Sequence, residues 1–190
     1  MLKIFGKLKK KKTIYENVLE WLKTKNDKTI EEVKAPGDME LEYMRKGMEK
    51  RESNDLNKAL MDYYNKDKKS LDEIDEFFQD HLALEVFEKF SNFIFGQDNF
   101  SEDKLPGLSI LLMRDSFQVE SVKFGILLAE YYNLDNYYRA LEIIKNLSVF
   151  PSFTYYGVRV LKNTEKGEEL LRMIYKDGNS KTREIIEVMK

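Results

Sequence analysis

The chain is 190 residues long, with 35% charged residues, 3 prolines, 9 glycines and no cysteine, a composition that favours long solvated helices over a turn-rich β architecture. Disulfide frameworks, thiolate metal sites and thiol nucleophiles are thereby excluded. The net charge of −2 is unevenly spread, because Lys3, Lys7, Lys9, Lys10, Lys11 and Lys12 meet no acid within residues 1–12 and the remainder is acidic; a body of that sign repels phosphate backbones, so no nucleic-acid partner is expected.

Residues 1–12 form a basic tail in which Leu2, Phe5 and Leu8 recur at helical spacing, the pattern of a short segment touching an anionic membrane surface. A solvated tail is the simpler reading. The segment is too short and too charged for the apolar part of a signal peptide, and no run of about 18 apolar residues occurs after it, so a cytoplasmic location is expected.

Residues 13–81 read as N-terminal helices that could cap the C-terminal half of the chain. Thr13 with Glu16 predicts a capped helix start, with Ile14, Val18, Leu19, Trp21 and Leu22 on one face and an end near Lys25 to Asp27. Ala35-Pro36-Gly37-Asp38 predicts a break, with Asp38 capping a helix that carries Leu41, Met44 and Met48. Ser53-Asn54-Asp55 opens another, reaching Tyr64, and Ser70 is expected to cap a long aromatic stretch from Leu71 to Ile94, bent near Asp80-His81. Gly96 to Asp103 reads as a polar loop, after which Pro106-Gly107 begins a helix with Leu108, Ile110, Leu111, Leu112 and Met113.

Residues 82–190 carry an internal repeat. Val122-Lys-Phe-Gly125-Ile-Leu-Leu128-Ala129 aligns with Thr154-Tyr-Tyr-Gly157-Val-Arg-Val160-Leu161 at a separation of about 32 residues, each with a small residue that lets a neighbouring helix approach. Ala140 to Ile144 aligns with Leu170 to Ile174 at about 30. Near the C-terminus, Asp177-Gly178-Asn179 leading to Arg183 resembles the turn of a HEAT repeat, and Asp115 to Val122 is similar without the arginine. The stretch from Leu128 to Ala140 is also similar to a tetratricopeptide repeat; the turn residues favour the HEAT-like reading. The resemblance implies an all-α fold of antiparallel helix pairs stacked as a short right-handed α-solenoid, a HEAT/armadillo-like superhelix with an N-terminal helical extension, presenting an extended surface to a partner.

Catalytic and metal chemistry find little purchase. His81 is the only histidine and Phe78 stands three residues before it, so a carboxylate-bridged Glu-x-x-His site on facing helices cannot be assembled. Asp72, Glu73, Asp75, Glu76 and Asp80 interleave with Leu71, Ile74, Phe77 and Phe78 as a solvated helix face does, without the EF-hand pattern. No phosphate-binding loop, dinucleotide fingerprint or nucleophile elbow appears, so no catalytic residue, metal ligand or cofactor is assigned and no enzyme is expected.

The residues singled out for binding are the doublets Tyr131-Tyr132, Tyr137-Tyr138 and Tyr155-Tyr156, with Arg139 and Arg159. Tyrosine and arginine are the side chains most enriched where proteins dock. The expected function is a non-catalytic scaffold binding another protein, a basic one suiting the acidic body. An inhibitor of a basic toxin or nuclease, or a membrane-peripheral adaptor using the tail, are the alternatives. The oligomeric state is left open by the sequence.

Overall fold

The structure, a computed structural model, describes residues 11–25, 37–97 and 102–190. Leu2, Phe5 and Leu8 of the expected membrane segment lie outside the described residues, as do Ala35 and Pro36 of the expected break. The described residues are all-α: α1 (Ile14–Thr24), α2 (Asp38–Lys46), α3 (Asn54–Tyr64), α4 (Ser70–Phe77), α5 (Ala83–Phe95), α6 (Leu105–Asp115), α7 (Val119–Leu127), α8 (Tyr138–Ser148), α9 (Pro151–Leu161), α10 (Gly167–Asp177) and α11 (Ser180–Met189). No strand occurs among them, and none of these helices is long and apolar enough to cross a membrane.

Local chemistry sets the helix boundaries. At α1 the Thr13 hydroxyl accepts from the Glu16 N–H at 3.2 Å while the Glu16 carboxylate accepts from the Thr13 N–H at 2.9 Å, a reciprocal cap that satisfies two orphan donors. The helix ends where Lys25 turns left-handed, at φ 53°. At α2 the cap differs from expectation: left-handed Gly37 precedes the helix, and Asp38 is its first residue, paired with Lys181 at 3.0 Å. Ser70 likewise begins α4 and donates to the Asp67 carbonyl at 2.9 Å, leaving Lys69 in the capping position. The expected bent helix over Leu71 to Ile94 is two helices, since the turns at Phe78 to Asp80 and the extended Leu82 interrupt the ladder.

The later helices stand in two rows. α6, α8 and α10 neighbour one another in turn, and α5, α7, α9 and α11 do the same beside them. The closest partners across the rows are α6 with α7 and α8 with α9. Val149 and Phe150 alone separate α8 from α9, and Pro151 starts the new helix without wasting a donor. The two aligned glycines mark the matching crossings. A Cβ on Gly125 would stand 2.9 Å from Leu112 Cβ of α6, and one on Gly157 would stand 1.7 Å from Ser148 Oγ of α8. The tight hairpins are therefore α6/α7 and α8/α9, whereas the spacing alone groups α7 with α8 and α9 with α10.

Both rows are covered on their far sides by the N-terminal helices. α1 lies against α6 and α8: Ile14 N–H donates to the Ser116 carbonyl at 3.2 Å, Asn146 donates to the Tyr15 hydroxyl at 3.1 Å, and Trp21 meets Phe150 edge-on at 4.8 Å. α2 reaches the other row through Glu40, Tyr43 and Asp38. One hydrophobic core runs from Ile14 to Ile186, so the residues before and after 82 share it. α3 and α4 pack together beside α5, and Phe78 carries that pair into the core against Phe124 at 5.1 Å.

Candidate protein-binding surface

Three of the singled-out tyrosines, Tyr131, Tyr132 and Tyr137, lie on the segment that joins α7 to α8, and Tyr138 begins α8. Leu128 and Ala129, in a short 3₁₀ turn, are buried, as is Leu134 in a second turn, so the segment is pinned at both ends. Between them the Asn133 side chain accepts from the Asp135 N–H at 3.1 Å, an Asx turn that reverses the backbone.

The tyrosines then separate. Tyr131 stacks on Phe87 at 5.5 Å and donates to Ser91 Oγ at 2.7 Å, and burial raises its pKa. Tyr132 lies with its hydroxyl 2.9 Å from Ser109 Oγ and its ring edge-on to Tyr137 at 5.1 Å; burial pushes its pKa up to about 12. Tyr138 points outward and is 75% exposed, with Arg139 exposed beside it. Tyr155 and Tyr156 lie in the core on α9, Tyr156 wholly so, and burial raises the pKa of both. The tyrosine-rich surface expected from the sequence is therefore divided: Tyr155 and Tyr156 do not reach it, Tyr131, Tyr132 and Tyr137 are half-buried, and Tyr138 and Arg139 stand at the surface.

Arg159 grips Glu130 through two nitrogens, the second at 2.9 Å, and its guanidinium lies 5.8 Å from the Phe87 ring centre. Burial works to lower its pKa, but the bonds and charge of Glu130 outweigh it and the net shift is upward. The pair stitches the segment to α9 and neutralises itself.

The segment forms a ridge with a hollow on either side, and Asp135 borders both. One hollow is a polar cleft of about 510 Å³ between the ridge and the end of α9, lined by Glu130, Tyr131, Tyr132, Asn133, Arg159, Lys162 and Asn163 among others. Three of its charged side chains are engaged: Glu130 with Arg159, and Asp135 accepting from the Glu165 N–H at 3.1 Å. The other is a groove of about 290 Å³ between α8 and α10. Tyr138, Leu141, Leu170 and Met173 give it an apolar floor, and Asp135, Glu142, Glu165 and Glu169 outnumber Lys145 and Lys166 around it. Met173 is 46% exposed. An apolar floor with an acidic rim is complementary in polarity and charge to a basic amphipathic segment.

Leu141, Leu170 and Met173 were not singled out from the sequence. The signal that could have found them was α10 itself, where Leu170, Leu171, Met173 and Ile174 span more of the helix than its single buried side chain, Ile174, requires. A buried ionic cluster was missed as well. Lys123 Nζ donates to Glu40 Oε1 at 2.8 Å and to Glu120 Oε1 at 2.6 Å, while the Tyr156 hydroxyl donates to the same Glu40 oxygen at 3.2 Å. Burial works to lower the Lys123 pKa, and the charges of Glu120 and Glu40 outweigh it, so the ammonium is held. Among the described residues no group of three or more His, Cys, Asp or Glu side chains is placed to hold a metal ion.

Comparison with protein-family models, with curated proteins and with solved structures gave no match.

Proposed function

We propose that this chain is a non-catalytic scaffold of HEAT-like helical repeats, stacked as a short right-handed α-solenoid, that binds another protein in the cytoplasm. The partner's docking element is an amphipathic helix with basic flanks, and it enters the groove between α8 and α10 with Tyr138 as its principal contact. The observation that carries this reading is α1. That helix rests on α6 and α8 through an apolar face of Ile14, Tyr15 and Val18, and the groove is the next interval along the same row. Helix-in-groove docking needs an apolar floor that admits anchor side chains, together with a rim of complementary charge.

The test is affinity capture from the source cell with the full chain and with a Tyr138→Ser/Met173→Ser double variant. Both side chains are exposed, so the variant keeps the fold. The reading expects a protein retained by the original chain and weakened about 10-fold or more by the variant, the loss typical of removing an aromatic anchor. Equal retention by both would remove the groove as the docking site.

A further inference from the structure

The row formed by α7, α9 and α11 holds a charged face beneath α2. Lys123 projects from α7 between Val122 and Phe124, and it is one of the largest fully buried side chains in the molecule. Glu120, one turn earlier on the same helix, is its local partner, an i,i+3 pair of the kind that ordinarily faces solvent. Glu40, brought by α2, completes the enclosure and also receives the Tyr156 hydroxyl.

α2 meets α7 and α9 at repeat-equivalent positions. At the repeat separation of about 32 residues, Lys123 on α7 and Tyr155 on α9 occupy equivalent positions. Glu40 contacts the first, and Tyr43, one turn further along α2, meets the second edge-on at 5.8 Å. Asp38 extends the sequence of contacts to Lys181 on α11 at 3.0 Å. A segment that crosses successive helices of a row is disposed as a ligand is on a repeat array.

The attachment of α2 is slight. Of its residues only Glu40 and Leu41 are buried, with Tyr43 and Met44 half-buried against the core, and a buried ion pair adds little net stability once desolvation is counted. Glycines with left-handed backbones bound it, Gly37 at φ +71° and Gly47 at φ +72°. A helix with few buried apolar contacts belongs to the part of a protein that opens locally.

We propose that the face of α7, α9 and α11 beneath α2 is a second binding site, occupied in the free protein by α2 as an internal ligand. Its external ligand is an acidic amphipathic helix of another protein that carries a glutamate three residues before an aromatic side chain. The incoming carboxylate takes the place of Glu40 at Lys123 and Tyr156, the aromatic ring takes the place of Tyr43 on Tyr155, and an acid in the first turn meets Lys181. α2 swings out to admit it. This face lies on the opposite row from the α8–α10 groove, so the two readings stand or fall separately.

Two measurements test it. In the first, a fluorescent peptide of residues 37–48 is titrated against the original full chain and against a full-length Leu41→Ala/Tyr43→Ala variant that weakens the internal competitor. The peptide is expected to bind the variant about 10-fold tighter or more, because the tethered helix no longer competes at high effective concentration, and a Glu40→Ala peptide is expected to lose that binding. Absence of binding, or equal binding to both chains, overturns the proposal. The second reads α2 opening without depending on that variant, and uses the absence of native cysteine. A thiol at Leu41→Cys, on α2, is expected to react about 100-fold faster than one at Ile144→Cys, in the core of α8, and with little urea dependence. Equal rates would mean that α2 opens only with the whole molecule and would overturn the proposal.

Discussion

α9 and α10 are neighbours in the chain and each has 11 residues, yet α9 buries every residue except Arg159 whereas α10 buries only Gly167 and Ile174. Position in the stack accounts for the difference. α9 stands inside its row with α7 and α11 beside it, α8 against it and Glu40 and Tyr43 of α2 over it. α10 ends the other row, and α1 covers α6 and α8 but does not extend to it. The lesson is that such a doublet has no fixed meaning: Tyr155-Tyr156 fills a core, while Leu170-Leu171 stays half-buried at an edge.

Substitutions on the two helices should sharpen that contrast. Phe153 on α9 is wholly buried, so Phe153→Ala should cost about 3–5 kcal/mol, read from urea unfolding. Gly157→Ala places a methyl group against Ser148 and should cost about 1–3 kcal/mol, with part recovered in a Gly157→Ala/Ser148→Gly double variant. A full recovery by Ser148→Ala alone would contradict this geometry, because Ser148 Cβ itself lies 2.7 Å from the added atom.

Alkaline pH should weaken the molecule through its buried phenols. The Tyr132 pKa rises from 10.0 to about 12 and that of Tyr156 rises well above 10.0, so the unfolded chain loses these protons first. Stability is therefore full below about pH 10 and declines as pH climbs toward 12. Tyr132→Phe should make the decline shallower in urea titrations across that range. The smallest effect belongs to Met173→Ala on α10, which should change stability by no more than about 0.5 kcal/mol because the side chain is 46% exposed. A loss there as large as that of Phe153→Ala would erase the distinction between the helices.

Much of the architecture was legible because it rests on local chemistry. The Thr13–Glu16 cap, the proline start of α6 and the two glycine crossings each arise from a few adjacent residues. What escaped was set by tertiary position. Tyr155 and Tyr156 read as surface candidates because a helix was expected to keep one side in water, and nothing near them in sequence announces that α2 closes over α9. The burial of Lys123 has no local signal, since its partner Glu40 lies far away in the chain. Tyr138 was legible as a candidate, but the groove it borders depends on Leu170 and Met173 of a helix that the sequence alone does not place beside it.

The most direct test of the two-row arrangement is hydrogen exchange resolved by helix in the full chain. That arrangement predicts that the amides of α9 exchange only through global unfolding, while those of α10 exchange through a cheaper local opening. Equal protection of α9 and α10, unchanged by mild denaturant, would contradict the assignment of one helix to the interior and the other to the edge.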